Sequence, residues 1–317
     1  MFEALRRAPK AELHLHLEGA VRPATLLEIA PTLTREEIEE RYRFTDFQSF
    51  LKTYGWVTGF LNGPRAYAMA ARRLFEELQA QNVTYAEINL SVGVMLWRNL
   101  DAAAIFDALE EEAARAALQV VWIFDAVRQW PVEDAWRVAR LAAGRVHRGV
   151  LGFGIGGDEA RGPAELFTEV FSFARDAGLA LVPHAGETTD ARSIWAVLER
   201  GACRIGHGIR AVDDPALLDH LRRSSIPLEI CLSSNVATGA AASWDRHPLR
   251  TIFDAGVPVT LSTDDPALFD TTLEQEYERA RTHFGFSFEE LEAVRQDAFR
   301  FALRKTEAAG ISRAKGK

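Results

Sequence analysis

A few short stretches of the chain carry side chains that are costly to bury without a chemical use. His14-Leu15-His16 sets two imidazoles two residues apart, and on a strand they share one face, as suits a pair gripping a metal ion. His184-Ala185-Gly186-Glu187 offers a third imidazole, and its two small residues allow a bend that presents Glu187 at the same place. The competing use for Glu187 is favourable contact with a helix N-terminus. His207 stands between Gly206 and Gly208, which permit close approach of a ligand or another backbone; a buried, hydrogen-bonded histidine would fit as well. Ser262-Thr263-Asp264-Asp265-Pro266 places two carboxylates side by side, costly to bury without a cation or donors, with helix capping before Pro266 as the alternative.

Three histidines and one aspartate, with a position left for water, suit a catalytic zinc ion. One metal is the better expectation than two. Barrel hydrolases often bridge a metal pair with a carboxylated lysine on a strand, and the only lysines are 10, 52, 305, 315 and 317, none in a predicted strand. Asp158 and Glu159, just past the fourth predicted strand, are the carboxylates left for bridging. The His-x-Glu and Pro-Cys-x-x-Cys zinc signature of small nucleobase deaminases is absent. His147, His220, His247 and His283 read as surface or packing residues.

The elements that must position these groups follow from apolar periodicity. Strands are expected over 11–17, 83–90, 118–127, 150–157, 179–187, 204–209, 226–235 and 258–265. Helical patterns over 64–81, 100–117, 131–144, 163–177, 191–200, 215–223 and 243–255 separate them, and 271–283 and 288–309 close the chain. Parallel neighbours need crossovers, so eight such units predict an α/β fold of the (β/α)8 TIM-barrel class. No Gly-rich phosphate fingerprint follows the first strand, which weakens a dinucleotide-binding sheet. Residues 21–64 are too long for a simple loop and predict a helical insertion after strand 1, over the barrel top. Its aromatic run (Phe44, Phe47, Phe50, Tyr54, Trp56, Phe60) either lines the site or packs the insertion. With no linker or repeat in view, residues 1–317 read as one domain. In a barrel of this kind reactive groups sit at the C-terminal strand ends, where the unusual residues fall.

Composition bounds the partners. The chain has 317 residues, 48% of them hydrophobic and 26% charged, which excludes a disordered chain and supplies a large core. The net charge of −8 argues against nucleic acid as a partner but not against a neutral purine as a small-molecule substrate. Two cysteines form no disulfide framework, the N-terminus has no secretory h-region, and no apolar run spans a bilayer; a cytoplasmic protein without a membrane partner is expected. Nothing in the sequence indicates an oligomeric state.

His14-Leu15-His16-Leu17-Glu18-Gly19, His184-Ala185-Gly186-Glu187, Gly206-His207-Gly208, Ser233-Ser234-Asn235 and Ser262-Thr263-Asp264-Asp265-Pro266 together resemble the adenosine deaminase family of the amidohydrolase superfamily. The resemblance runs from about residue 10 to 304. It implies one zinc ion per chain held by His14, His16, His184 and Asp264, with Glu187, His207 and Asp264 as catalytic residues. Glu187 would protonate purine N1, and His207 would orient the attacking water and help deprotonate it. Asp265 would contact N7, the backbone of Gly157 would donate to N3, and Glu18 would sit toward the group on N9. The implied reaction is hydrolytic deamination of an adenosine- or deoxyadenosine-like 6-aminopurine nucleoside to its 6-oxo product and ammonia. Many family members have Asp where this chain has Glu18; His-x-His-Leu-Glu-Gly also occurs in adenine deaminases and in aminodeoxyfutalosine deaminases of menaquinone synthesis. Thr238-Gly239-Ala240 looks more like the nucleoside-acting members. Another zinc amide or ester hydrolase on the same barrel is the more distant alternative.

Overall fold

The computed structural model describes residues 2–305 and 311–313. Nine strand segments fill the eight expected strand positions: β1 (Lys10–His16), β2 (Val83–Leu90), β3 (Gln119–Val127), β4 (Val150–Gly156), β5 (Ala180–Leu181), β6 (His184–Ala185), β7 (Ile205–His207), β8 (Leu228–Ile230) and β9 (Val259–Leu261). Neighbours pair in parallel and in chain order, as crossovers through helices require.

The ring is continuous across its two weak points. The fifth strand position breaks between β5 and β6 around Val182-Pro183, because proline has no N–H for the ladder. Val182 N–H still donates to Phe153 on one side, and Gly206 N–H to the Pro183 carbonyl on the other, at 3.1 and 3.0 Å. Beyond β9, Asp264 bridges to Leu15: His16 N–H donates to the Asp264 carbonyl at 2.7 Å and Asp264 N–H to the His14 carbonyl at 3.0 Å. First and last strands therefore meet beside the two histidines.

β4 makes room inside the barrel. Its Gly152, Gly154 and Gly156 alternate with Phe153 and Ile155, which are buried among the surrounding helices. A Cβ on Gly154 or Gly156 would lie 2.6 Å from the Asp125 carboxylate of β3, and one on Gly156 would lie 3.4 Å from His184. The opposite end of the interior is polar. Arg204, 1% exposed, pairs with Glu87 of β2 and Glu229 of β8 and donates to the Phe301 carbonyl at 2.8 Å.

Several expectations are corrected in extent. The last helix ends at Phe301 rather than near 309, and Leu303–Lys305 pairs with Ile311–Arg313; residues 306–310 lie outside the described residues. The seventh strand is short, and Leu232–Ala237 is a helix that carries Ser233, Ser234 and Asn235 into the site. Lys10 opens β1, against the expectation of lysine-free strands, but it caps carbonyls at the far end, including that of Gln81 at 2.8 Å. The insertion holds helices Pro23–Ile29, Arg35–Arg41 and Phe47–Thr58, the last two begun by capping boxes at Thr34 and Asp46. No helix among the described residues is long and apolar enough to cross a membrane.

Candidate active site

The C-terminal strand ends surround a cavity of about 310 Å³ lined by His16, His184, Glu187, His207, Asp264, Asp265 and Gly157. Helix Phe47–Thr58 covers it with Phe47, Phe50 and Tyr54. That part of the aromatic run faces the site, while Phe44 packs behind it on Phe50 and Phe269. Trp97 and Trp130 form the outer wall, ring centroids 5.5 Å apart, and Trp97 is 66% exposed.

At the floor, imidazoles and one carboxylate converge. His16 Nε2 lies 3.1 Å from His184 Nε2 and 3.3 Å from Asp264 Oδ1, and His14 Nε2 lies 3.3 Å from the same oxygen. His14, His184, His207 and Asp264 each place a donor atom within 4.8 Å of the others. With His184 Nδ1 turned to the Ile155 carbonyl, its Nε2 carries a lone pair, and that lone pair meets Asp264 Oδ1 and the Nε2 atoms of His14 and His16 at a point that suits a shared cation. His14 Nε2 is also buried without a hydrogen-bond partner among the described residues. The donor set of imidazoles and one carboxylate suits zinc.

The opposite edges of these side chains are anchored. His14 Nδ1 pairs with Glu229 Oε2 at 2.7 Å, His184 Nδ1 donates to the Ile155 carbonyl at 3.1 Å, and the Ser234 hydroxyl donates to Asp264 Oδ2 at 2.6 Å. Each bond turns a Nε2 or a carboxylate oxygen toward the common point. Burial alone would lower the His14 pKa, but Asp264 and Glu229 raise it to about 10.

Local backbone explains how neighbouring residues share one site. On a regular strand Asp264 and Asp265 would point to opposite faces. Asp264 has φ +64°, in the left-handed region, and both side chains line the cavity. His207 is also left-handed, at φ +61°. Two such non-glycine residues in one site mark strain held by its surroundings. Gly19 makes way for Asp265: a Cβ there would lie 1.6 Å from Asp265 Oδ1. Gly157, φ +102°, lines the cavity as well.

Glu187 Oε2 lies 3.8 Å from His207 Nε2, which is 3.9 Å from Asp264 Oδ2. Burial, then Asp264 and Glu159, push the Glu187 carboxyl well above the usual range, and burial with Asp264 does the same to Asp265. Burial lowers the His207 pKa to about 4.

Glu18 lies behind the cavity wall. It is fully buried and off the cavity wall. Its Oε2 accepts from the Tyr54 hydroxyl and its Oε1 from Ser91 N–H, both at 3.1 Å, and Tyr54 and Ser91 are the residues that line the cavity. Glu18 therefore reaches the cavity only through them.

The residues that sequence reasoning passed over are mostly anchors. Glu159, set aside as a possible metal bridge, accepts the N–H groups of Gly186, Glu187, Thr188 and Thr189 at 2.6–3.2 Å. It thus fixes the loop that carries Glu187. Burial would raise its pKa, but Arg128, the Ser193 hydroxyl and the N–H groups of Gly186 and Thr188 hold it lowered. Asp125 lines the cavity, and burial lifts its carboxyl to about 7. His247, read as a packing residue, is buried and bonded to Asn235, which bonds His207. The alternation of glycines in β4 signals a bare strand face but not that Asp125 fills it, and no short-range pattern signals His247.

Comparison with known proteins agrees with this geometry. Residues 9–310 match the family described as adenosine deaminase. The chain is 38% identical over 284 residues to the aminodeoxyfutalosine deaminase of Streptomyces coelicolor, covering 85% of this chain and 73% of that protein. It superposes on the crystal structure of adenine deaminase from Arthrobacter aurescens with a TM-score of 0.87 at 28% identity, covering 92% and 93% of the two chains. An amidohydrolase from Burkholderia ambifaria, solved with bound Zn, matches with a TM-score of 0.85 at 25% identity over 94% and 86%. A family match over most of the length, together with a barrel that gathers histidines, Asp264 and Glu187 at its strand ends, places this chain in the adenosine deaminase family, as a hydrolytic deaminase acting on C–N bonds.

Proposed function

We propose that the chain is a zinc-dependent deaminase of a neutral 6-aminopurine nucleoside, adenosine or a close analogue, yielding the 6-oxo product and ammonia. The observation that carries this reading is the buried Glu187 carboxyl 3.8 Å from His207, on the wall of a cavity whose floor is the histidine–aspartate cluster; burial pushes its pKa well up. His14, His16, His184 and Asp264 would hold one zinc ion. His14 and His16 both sit at 3.3 Å from Asp264 Oδ1, whereas His207 faces the other oxygen at 3.9 Å and also faces Glu187. These distances support reading His207 as a neighbour of the metal that would face the attacking water, with His16 rather than His207 completing the ligand set. Zinc bound there would act as a Lewis acid that makes water nucleophilic near neutral pH.

The chain's own groups supply the rest. Glu187 delivers its proton to N1, which makes C6 electrophilic; a carboxyl that starts protonated suits that task. Asp265, also held toward its neutral form, donates to N7, and the backbone at Gly157 contacts N3. Nucleotides fit poorly. The only guanidinium on the cavity wall among the described residues, that of Arg98, is engaged by carbonyls of Gly59 and Leu61, which leaves no free cation there for a phosphate.

A larger nucleoside is the second reading, and the exposed Trp97 face beside Trp130 favours it, because it could stack on a group beyond the sugar. A panel of adenosine, deoxyadenosine, adenine and aminodeoxyfutalosine, followed by loss of the adenine absorbance and release of ammonia, separates the readings. Turnover of adenine alone would overturn the nucleoside proposal, and preference for aminodeoxyfutalosine would select the second reading. Elemental analysis should give one zinc per chain; two tightly held metals would contradict the mononuclear site.

A further inference from the structure

The orientation of His207 is set by a hydrogen-bond chain that starts at a backbone group, whose direction admits no choice. Leu249 N–H donates to His247 Nδ1 at 3.1 Å, so that nitrogen is an acceptor. The ring proton of His247 must then sit on Nε2, which lies 3.1 Å from Asn235 Oδ1. The Asn235 amide is thereby oriented, and its NH₂ donates to His207 Nδ1 at 3.0 Å. Reversing Asn235 would set two acceptors, Asn235 Oδ1 and His207 Nδ1, against each other unless His207 moved its proton. It would also set the amide NH₂ against the His247 Nε2–H. Asn235, His247 and Leu249 are all buried, so water does not relax these constraints.

We propose that this chain locks His207 as the Nε2–H tautomer, so that it donates a hydrogen bond to the oxygen of the attacking water and does not accept the water's proton. An imidazolium is disfavoured for the same reason, since a proton on Nδ1 would face the Asn235 NH₂. With Nε2 occupied, His207 has no lone pair there to act as a base. The proton released by the water goes instead to the Glu187 carboxylate, left after Glu187 has given its own proton to N1, and Glu187 Oε2 is 3.8 Å from His207 Nε2. Asn235 and His247 are then positioning residues. The naming of the water, and the absence of a metal bond at His207 Nε2, rest on the proposed function.

The test is ¹⁵N spectroscopy of the zinc-loaded full chain with labelled histidine rings, the His207 signals being those lost in His207→Gln. An unprotonated Nδ1 and a protonated Nε2 at neutral pH are expected. A protonated Nδ1, averaged tautomers or an imidazolium would overturn the proposal. His247→Phe keeps bulk and removes both ring nitrogens; His207 should then show mixed tautomers, with kcat lower by about 10–100-fold and KM little changed. His247→Gln, whose amide can still donate to Asn235, should restore the single tautomer and most of kcat. A pure Nε2–H signal persisting in folded His247→Phe would show that the chain does not set it. If His247→Phe fails to fold, the wild-type and His247→Gln spectra still decide the question. A protein that deaminates none of the purines but gives the expected spectrum would fail the proposed function and not this inference.

Discussion

Glu187 is the residue on which the deaminase chemistry turns. If it only favoured the start of a helix, Glu187→Gln would cost about 1 kcal/mol or less and leave turnover intact. As the acid at N1 it must cycle a proton, which an amide cannot do. Turnover in Glu187→Gln should fall by about 10²–10⁴, with zinc content and melting temperature unchanged. Near wild-type turnover in a zinc-replete variant would remove Glu187 from the mechanism. Glu18 makes a different kind of contribution. Shortening it in Glu18→Asp draws the carboxylate away from the Tyr54 hydroxyl and Ser91 N–H, which it holds at 3.1 Å. The relative rates on adenosine, adenine and larger nucleosides should change while zinc stays bound. An equal loss on all substrates would speak against a role at N9.

At the scale of elements, the site depends on where side chains are missing. Gly154 of β4 faces the Asp125 carboxylate at a distance no Cβ tolerates. Gly154→Ala should destabilise the protein by about 1–3 kcal/mol, the usual cost of overpacking. Asp125→Ala in the same chain should recover part of that loss, because the two side chains compete for one space. Strictly additive effects in chemical denaturation would show that the contact is not the cause. The alternation of glycine with Phe153 and Ile155 is legible in the sequence as a strand with one bare face. What the bare face accommodates is not, since Asp125 is brought there by the pairing of β3 with β4. Glu159 follows the same logic. Its place just past β4 was visible, but its four N–H donors come from a loop some 27–30 residues further on.

For the whole molecule, burying neutral imidazoles ties stability to pH. Burial lowers His247 to about 3, with His207 adding to the effect, and His207 itself to about 4. The unfolded chain protonates both near 6.5. At these two sites it therefore binds more protons than the folded chain between these values, so their contribution to stability is full above about pH 6.5 and is lost as pH falls toward 3. Each such group contributes at most about 1.4 kcal/mol per pH unit. His247→Gln should lose part of this slope: the gap in stability between it and the wild type should narrow from pH 7 to pH 4. Parallel curves in denaturant titrations at the two pH values would contradict that account.

Alternating strand and helix patterns were enough to indicate the (β/α)8 class, and the His14-x-His16, His184, Glu187, His207 and Asp264-Asp265 motifs were enough to indicate a metal-assisted hydrolase. Both are local signals: periodicity reports which face of an element is buried, and a motif reports a strand end. Three facts about the site have no local signal. The left-handed turn at Asp264 aims two adjacent carboxylates into one cavity. Glu18 is covered by Tyr54 from an insertion helix some 36 residues away. His247 reaches His207 through Asn235 across 40 positions of sequence. Each depends on closing the barrel, which brings distant strand ends within hydrogen-bond distance, and that closure is a property of the folded chain.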